Sequence, residues 1–178
     1  MKKILPVAAV IAVIAAVLLF VNFRSAEDSN AEHTDETASA AGTVTLSVRC
    51  DTVLDNYDKL DGALKSGGYI PDDGVILEST QYAFEEGDTV FDILASVSRR
   101  ESIQMEYGGG SGSEYIEGIG YLYEFSCGRG SGWNYRVNGE YPGVGCGQYK
   151  PSDGDEIEWL YTCDFGRDIG SYYGGGDG

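Results

Sequence analysis

The chain has 178 residues, enough for one ordinary domain with extensions, and carries 29 acidic against 12 basic side chains. A net charge of −17 repels phosphate backbones, which excludes nucleic acid as an expected partner. With 26 glycines, 13 tyrosines and only 4 prolines, the composition favours short strands joined by tight turns over long helices.

Met1-Lys2-Lys3 is a short basic start, and residues 4–23 form an almost unbroken apolar run. About 20 helical residues span roughly 30 Å of bilayer hydrocarbon, so the run reads as a transmembrane anchor. Lys2 and Lys3 place the N-terminus in the cytoplasm and the rest of the chain outside. A cleaved signal peptide is the alternative, although its apolar core usually spans about 7–15 residues. No small-x-small cleavage site follows directly, Ala38-Ser39-Ala40 lying well downstream, and no cysteine follows that would take a lipid. The expected localisation is the cell membrane, single-pass with the domain extracellular, secretion after cleavage being the alternative. Residues 25–42 are rich in Ala, Ser, Thr, Asp and Glu and read as a disordered linker. His33, the one histidine, falls there and reads as solvated.

From Thr43 the pattern changes. Val44, Leu46 and Val48 alternate with polar residues in a first strand ending at Cys50. Residues 51–65 carry apolar side chains at roughly helical spacing, with Asp55, Asp58 and Asp61 as a solvated acidic face. Those aspartates lack the order of a calcium loop. Pro71-Asp72-Asp73-Gly74 predicts a turn, Val75 to Phe84 a second strand, and Glu85-Glu86-Gly87-Asp88 another turn. Thr89-Val90-Phe91-Asp92 then resembles a capping box, opening a helix whose apolar face is Val90, Ile93, Leu94 and Val97. Residues 103–107 predict a short strand, 108–112 a loop, and 115–125 one or two strands.

Trp133, Tyr135 and Val137 alternate into Asn138-Gly139, the pair that best supplies the positive φ angles of a type I′ hairpin turn. Pro151-Ser152-Asp153-Gly154-Asp155 predicts a further turn before Ile157, Trp159 and Tyr161, the inward face of a last strand. Residues 171–178 read as a disordered glycine-rich tail.

The order strand, excursion, strand, helix, strands predicts an α+β domain over 43–170, a β-grasp-like mixed sheet with one packed helix. The first and last strands of that topology lie parallel and adjacent at the centre. Four cysteines in an exported domain predict two disulfides, their spacing matching no zinc pattern. Cys50 and Cys163 each end a central strand, which predicts Cys50–Cys163 and leaves Cys127–Cys146 to staple the hairpin loop. The first bridge would close about 113 residues and contribute about 4 kcal/mol.

Three motifs carry a resemblance: Gly87-Asp88-Thr89-Val90-Phe91-Asp92-Ile93-Leu94, Ser131-Gly132-Trp133-Asn134-Tyr135-Arg136-Val137-Asn138-Gly139 and Asp153-Gly154-Asp155-Glu156-Ile157-Glu158-Trp159. In this order they resemble the transcobalamin-like C-terminal domain family, which also occurs as a bacterial surface domain of unassigned function. In transcobalamin and intrinsic factor the related domain covers one face of cobalamin while a helical barrel holds the other. The resemblance therefore implies a β-grasp-like fold and a corrinoid as candidate ligand, with no barrel in this chain to complete the site.

No catalytic constellation is expected. The one histidine lies in the linker, the cysteines read as bridges, and Gly128-Arg129-Gly130-Ser131-Gly132 precedes a strand where a phosphate cradle would open a helix. The candidate ligand-binding residues are the aromatics around the hairpin, Trp133, Tyr135, Tyr141 and Tyr149. Trp133 and Tyr135 alternate in phase, which is also the usual pattern of core residues on a half-buried strand. The expected protein is a membrane-anchored extracellular binding module for a corrinoid, the alternative being a protein-interaction or adhesion module of the cell surface.

Overall fold

The computed structural model describes residues 40–171. The predicted anchor over 4–23, most of the linker with His33, and the tail beyond Ser171 lie outside the described residues. Among the described residues no helix is long and apolar enough to cross a membrane.

The domain is α+β, with two sheets. Strand β1 (Ala40–Arg49) pairs antiparallel with β2 (Val75–Glu85) on one side and parallel with β7 (Glu156–Thr162) on the other. Strand β6 (Gly132–Val137) adds antiparallel to β7, giving the order β2-β1-β7-β6. The expected juxtaposition of first and last strands is present. Strand β1 starts earlier than expected, because Ala40 pairs with Glu85 and takes residues assigned to the linker into the sheet.

Between β1 and β2 the expected helical excursion breaks into α1 (Asp51–Asp55), a 3-10 turn at Tyr57–Lys59 and α2 (Gly62–Gly67). Asp61 caps α2 by accepting from the Ala63 N–H at 2.8 Å. Helix α3 (Val90–Arg100) starts at the capping box foreseen in the sequence: Thr89 and Asp92 exchange side-chain to backbone hydrogen bonds. Its Val90, Ile93, Leu94 and Val97 join Val44, Leu46, Val48, Ile157, Trp159 and Tyr161 in one core. Alternation on β1 and β7 sends these side chains inward, and a period of 3.6 does the same for α3.

Residues 105–123 form a second sheet that the sequence reading did not separate from the first. Strands β3 (Met105–Gly108), β4 (Tyr115–Ile119) and β5 (Leu122–Tyr123) lie in sequential antiparallel order. They complete the core with Ile116, Ile119 and Leu122. The predicted turn at Asn138-Gly139 has both residues at positive φ, 52° and 81°. It closes only a single bridge, Val137 to Glu140. The extended partner of β6 is β7, reached after the long connection 138–155, because Asn138 donates its N–H to Glu156 O at 2.8 Å.

Candidate functional site

Trp133 and Tyr135 stand on β6 directly opposite Tyr161 and Trp159 of β7, with ring centroids 5.2 and 5.4 Å apart. Such cross-strand aromatic pairs are units of sheet stability. Trp133 is only 8% exposed, and its indole N–H donates to Leu122 O at 2.8 Å. The Tyr135 hydroxyl donates to Val144 O at 2.8 Å, and the Tyr141 hydroxyl to Ile169 O at 2.6 Å. Tyr149 meets the Tyr135 ring edge-on and is half-buried against the core, while its carbonyl accepts from Val90 N–H. The structure thus gathers Trp133, Tyr135 and Tyr149 around the inward face of β6 and β7, whereas Tyr141 lies apart, by Arg136 and Ile169. Trp133, Tyr135 and Tyr141 spend their polar tips on backbone carbonyls.

The cysteines depart from the expected pairing. All four are buried free thiols, and neither Cys50–Cys163 nor Cys127–Cys146 is formed. The reason is register. Leu46 pairs with Ile157 and Val48 with Trp159, so Cys50 falls level with Tyr161 while Cys163 lies two residues further, level with Thr52. The Cys163 thiol accordingly reaches Thr52 Oγ1 at 3.7 Å. Cys146 lies in another part of the fold, its thiol on Glu114 O at 3.5 Å. Burial pushes Cys50 and Cys163 up to about 12 and Cys146 up to about 11, so these thiols are protonated at neutral pH.

The residues that the sequence reading passed over form a shallow groove of about 320 Å³ between α2 and the β4–β5 hairpin. Tyr69, Tyr121 and Tyr123 line it with Leu64, Asp61 and Ser126. Tyr69 follows the left-handed C-cap at Gly68, and its ring folds back over Gly67, where a Cβ would lie 2.1 Å from the ring edge. Only glycine permits that approach. Tyr121 occupies the second position of the two-residue turn joining Ile119 to Leu122, with φ 67° after Gly120 at φ 60°. That position ordinarily takes glycine, and a bulky side chain there costs about 1–2 kcal/mol. The two rings lie 4.8 Å apart at 41°, with Tyr69 46% and Tyr121 50% exposed.

Gln104 holds the turn. Its carbonyl accepts from Gly120 N–H and its side-chain oxygen from Tyr121 N–H, each at 2.7 Å. Its amide donates to the Tyr123 hydroxyl, which donates in turn to Glu106 Oε1, again at 2.7 Å each. The hydrogen bond to the Glu106 carboxylate is the main reason the Tyr123 phenol is held above its ordinary value. Opposite, Asp61 N–H donates to Ser126 O at 2.8 Å and locks α2 onto the loop after β5. Both walls are therefore fixed by hydrogen bonds, while the Tyr69 and Tyr121 hydroxyls engage no partner among the described residues. The only sequence signal for this groove was an aromatic after glycine between two short strands.

A larger cleft of about 430 Å³ runs between β2 and α3. It mixes Arg99 and Arg100 with Glu85, Asp88 and Asp92, so it presents no field of one sign. Phe91 and Tyr107, on its wall, already close edge-on at 4.7 Å. Among the described residues no group of three or more His, Cys, Asp or Glu side chains is placed to hold a metal ion.

Residues 87–162 match the family described as a domain of unknown function, DUF4430. No curated protein matches the chain. Among solved structures, the chain is similar to a Ruminococcus gnavus protein provisionally described as metal binding. Identity is 15%, with 68% of this chain and 96% of that one covered at a TM-score of 0.40. That degree of likeness is too low to transfer a ligand.

Proposed function

We propose that this chain is a non-catalytic binding module, tethered outside the cell by its apolar N-terminal run, whose contact surface is the tyrosine groove between α2 and the β4–β5 turn. The observation that carries this reading is Tyr121: an exposed aromatic held in a left-handed conformation, tilted against a second exposed tyrosine and buttressed through Gln104. Backbone strain concentrates where a scaffold over-determines a functional group. Ring faces without a neighbour on one side suit a flat, partly apolar ligand. The resemblance to the transcobalamin-like C-terminal domain makes a corrinoid the first ligand of that description to try. In that case the groove covers one face only and a second protein supplies the other.

The test is a titration of the full chain, in detergent, with cobinamide and cobalamin, followed in the visible spectrum. Tyr69→Ala and Tyr121→Ala should each weaken binding up to about tenfold, the worth of one aromatic stacking contact. A flat titration removes the corrinoid, and variants that bind as well as the parent remove the groove. A surface-protein partner is the second reading, favoured by the free edge of β2, where Glu78, Ser79, Thr80 and Gln81 are exposed. Cross-linking on intact cells distinguishes it, because such a partner would be captured through 78–81 whether or not the groove tyrosines are present.

A further inference from the structure

Cys127 and Cys163 come from elements far apart in sequence and meet over a single turn of chain. Cys163 follows the last residue of β7, and its thiol lies on Thr52 Oγ1. Cys127 sits in the loop after β5, its N–H bonded to Ser131 Oγ and its thiol donating to Asn56 O at 3.5 Å. Thr52 and Asn56 are neighbours along that turn, tied by the hydrogen bond from Asn56 Nδ2 to Thr52 O at 2.8 Å. The two thiols therefore stand over the same short stretch, and burial first, then the Cys127 side chain, raise the Cys163 thiol above its ordinary value. Both thiols are buried, and Tyr161 flanks them, donating its hydroxyl to Tyr123 O at 2.7 Å with Ser131 Oγ 3.0 Å away. Cys50 follows the last residue of β1, with its N–H on Gly74 O. Cys146 packs instead at the start of α3, where its carbonyl accepts from Phe91 N–H.

We propose that Cys127 and Cys163 form the disulfide of this domain, and that Cys50 and Cys146 remain buried thiols. The oxidant is a disulfide, either a low-molecular-weight one or that of a thiol–disulfide oxidoreductase. One cysteine thiolate attacks it and expels a thiol, giving a mixed disulfide. The second cysteine then displaces the remaining half. One intramolecular S–S bond forms, two oxidant thiols leave carrying the protons, and two electrons pass from the cysteines to the oxidant. Because burial raises the Cys163 thiol above its ordinary value, the fully folded chain exchanges slowly, and the bridge forms as the docking of β7 brings the two cysteines together. The bridge fastens to β7 the loop whose Ser126 walls the tyrosine groove. Its existence does not depend on what the groove binds.

The full chain, reduced and unfolded, is refolded in a glutathione redox buffer, alkylated and digested without reduction. The expected product is a cross-linked peptide pair through Cys127 and Cys163, lighter than its reduced parts by about 2 Da, with Cys50 and Cys146 alkylated. Cys50→Ser and Cys146→Ser should keep the cross-link, and Cys127→Ser should lose it. Alkylation of all four cysteines in the parent chain overturns the proposal, as does any other pairing. The parent map decides the matter even where a serine variant fails to fold.

Discussion

The left-handed tyrosine at position 121 makes a prediction whose sign is opposite to the ordinary one. At most sites glycine is less stable than alanine by about 0.5–1 kcal/mol, because the unfolded chain gains freedom. At Tyr121 the backbone sits at φ 67°, where any residue with a Cβ pays about 1–2 kcal/mol. Tyr121→Ala removes the ring contact with Tyr69 and keeps that strain, whereas Tyr121→Gly removes the same contact and releases it. Subtracting the entropic penalty of glycine from the strain relieved leaves the glycine variant more stable than the alanine variant by about 0.5–1 kcal/mol. Urea midpoints on the two variants measure this difference directly. Both should lose ligand to the same degree, since the missing ring is common to them. A glycine variant less stable than its alanine counterpart would refute the argument that strain is stored at this turn.

Trp133→Phe should destabilise the domain by about 2–3 kcal/mol, because it orphans the buried Leu122 carbonyl as well as shrinking the ring; a urea series on the parent and the variant reads it, and groove binding should be unchanged. Asn138→Ala should cost about 2 kcal/mol in the same assay, losing both tolerance of φ 52° and the side-chain hydrogen bonds to Glu156 N–H and Asp155. The reduced chain should lose stability as pH rises above about 8.5, the ordinary thiol value. Folding holds Cys50 and Cys163 up to about 12 and Cys146 up to about 11, so the folded state keeps protons that the unfolded state releases. The contribution is complete below the unfolded value and lost as pH climbs through the folded one, at up to about 1.4 kcal/mol per pH unit for each thiol. Thermal melts at pH 7, 9 and 10 under reductant check it, and a flat profile would contradict it.

Much of the scaffold was legible because its signals are local. Thr89 and Asp92 announce the start of α3, Asn138-Gly139 announces its turn, and alternation at Val44, Leu46 and Val48 and at Ile157, Trp159 and Tyr161 announces the two central strands. Register is a different kind of information. Nothing along the chain states that Leu46 faces Ile157, and reading β1 and β7 as ending level slid the partner of Cys163 from Thr52 to Cys50. The aromatics show the same division. In-phase spacing correctly marked Trp133 as a core candidate, but the groove tyrosines 69, 121 and 123 come from two excursions whose proximity no periodicity encodes. Tyr141 and Tyr149 were candidates for their place in the loop around Pro142 and Cys146, and in the structure both are partly buried, Tyr141 through a hydrogen bond to Ile169 O and Tyr149 against the core.

The adjacency of β1 and β7 also sets a schedule for synthesis. The ribosome delivers β1 and β2 together, and they can zip into a hairpin at once, but the parallel neighbour of β1 emerges more than a hundred residues later. Until then Leu46 and Val48 present an unfinished apolar surface, with their β7 neighbours Ile157 and Trp159 still untranslated. A segment cut at 87–162 inherits the complementary deficit, keeping β7 while losing the strand it leans on. Neither half completes the four-stranded sheet, whose parallel pair exists only once the final strand has been made.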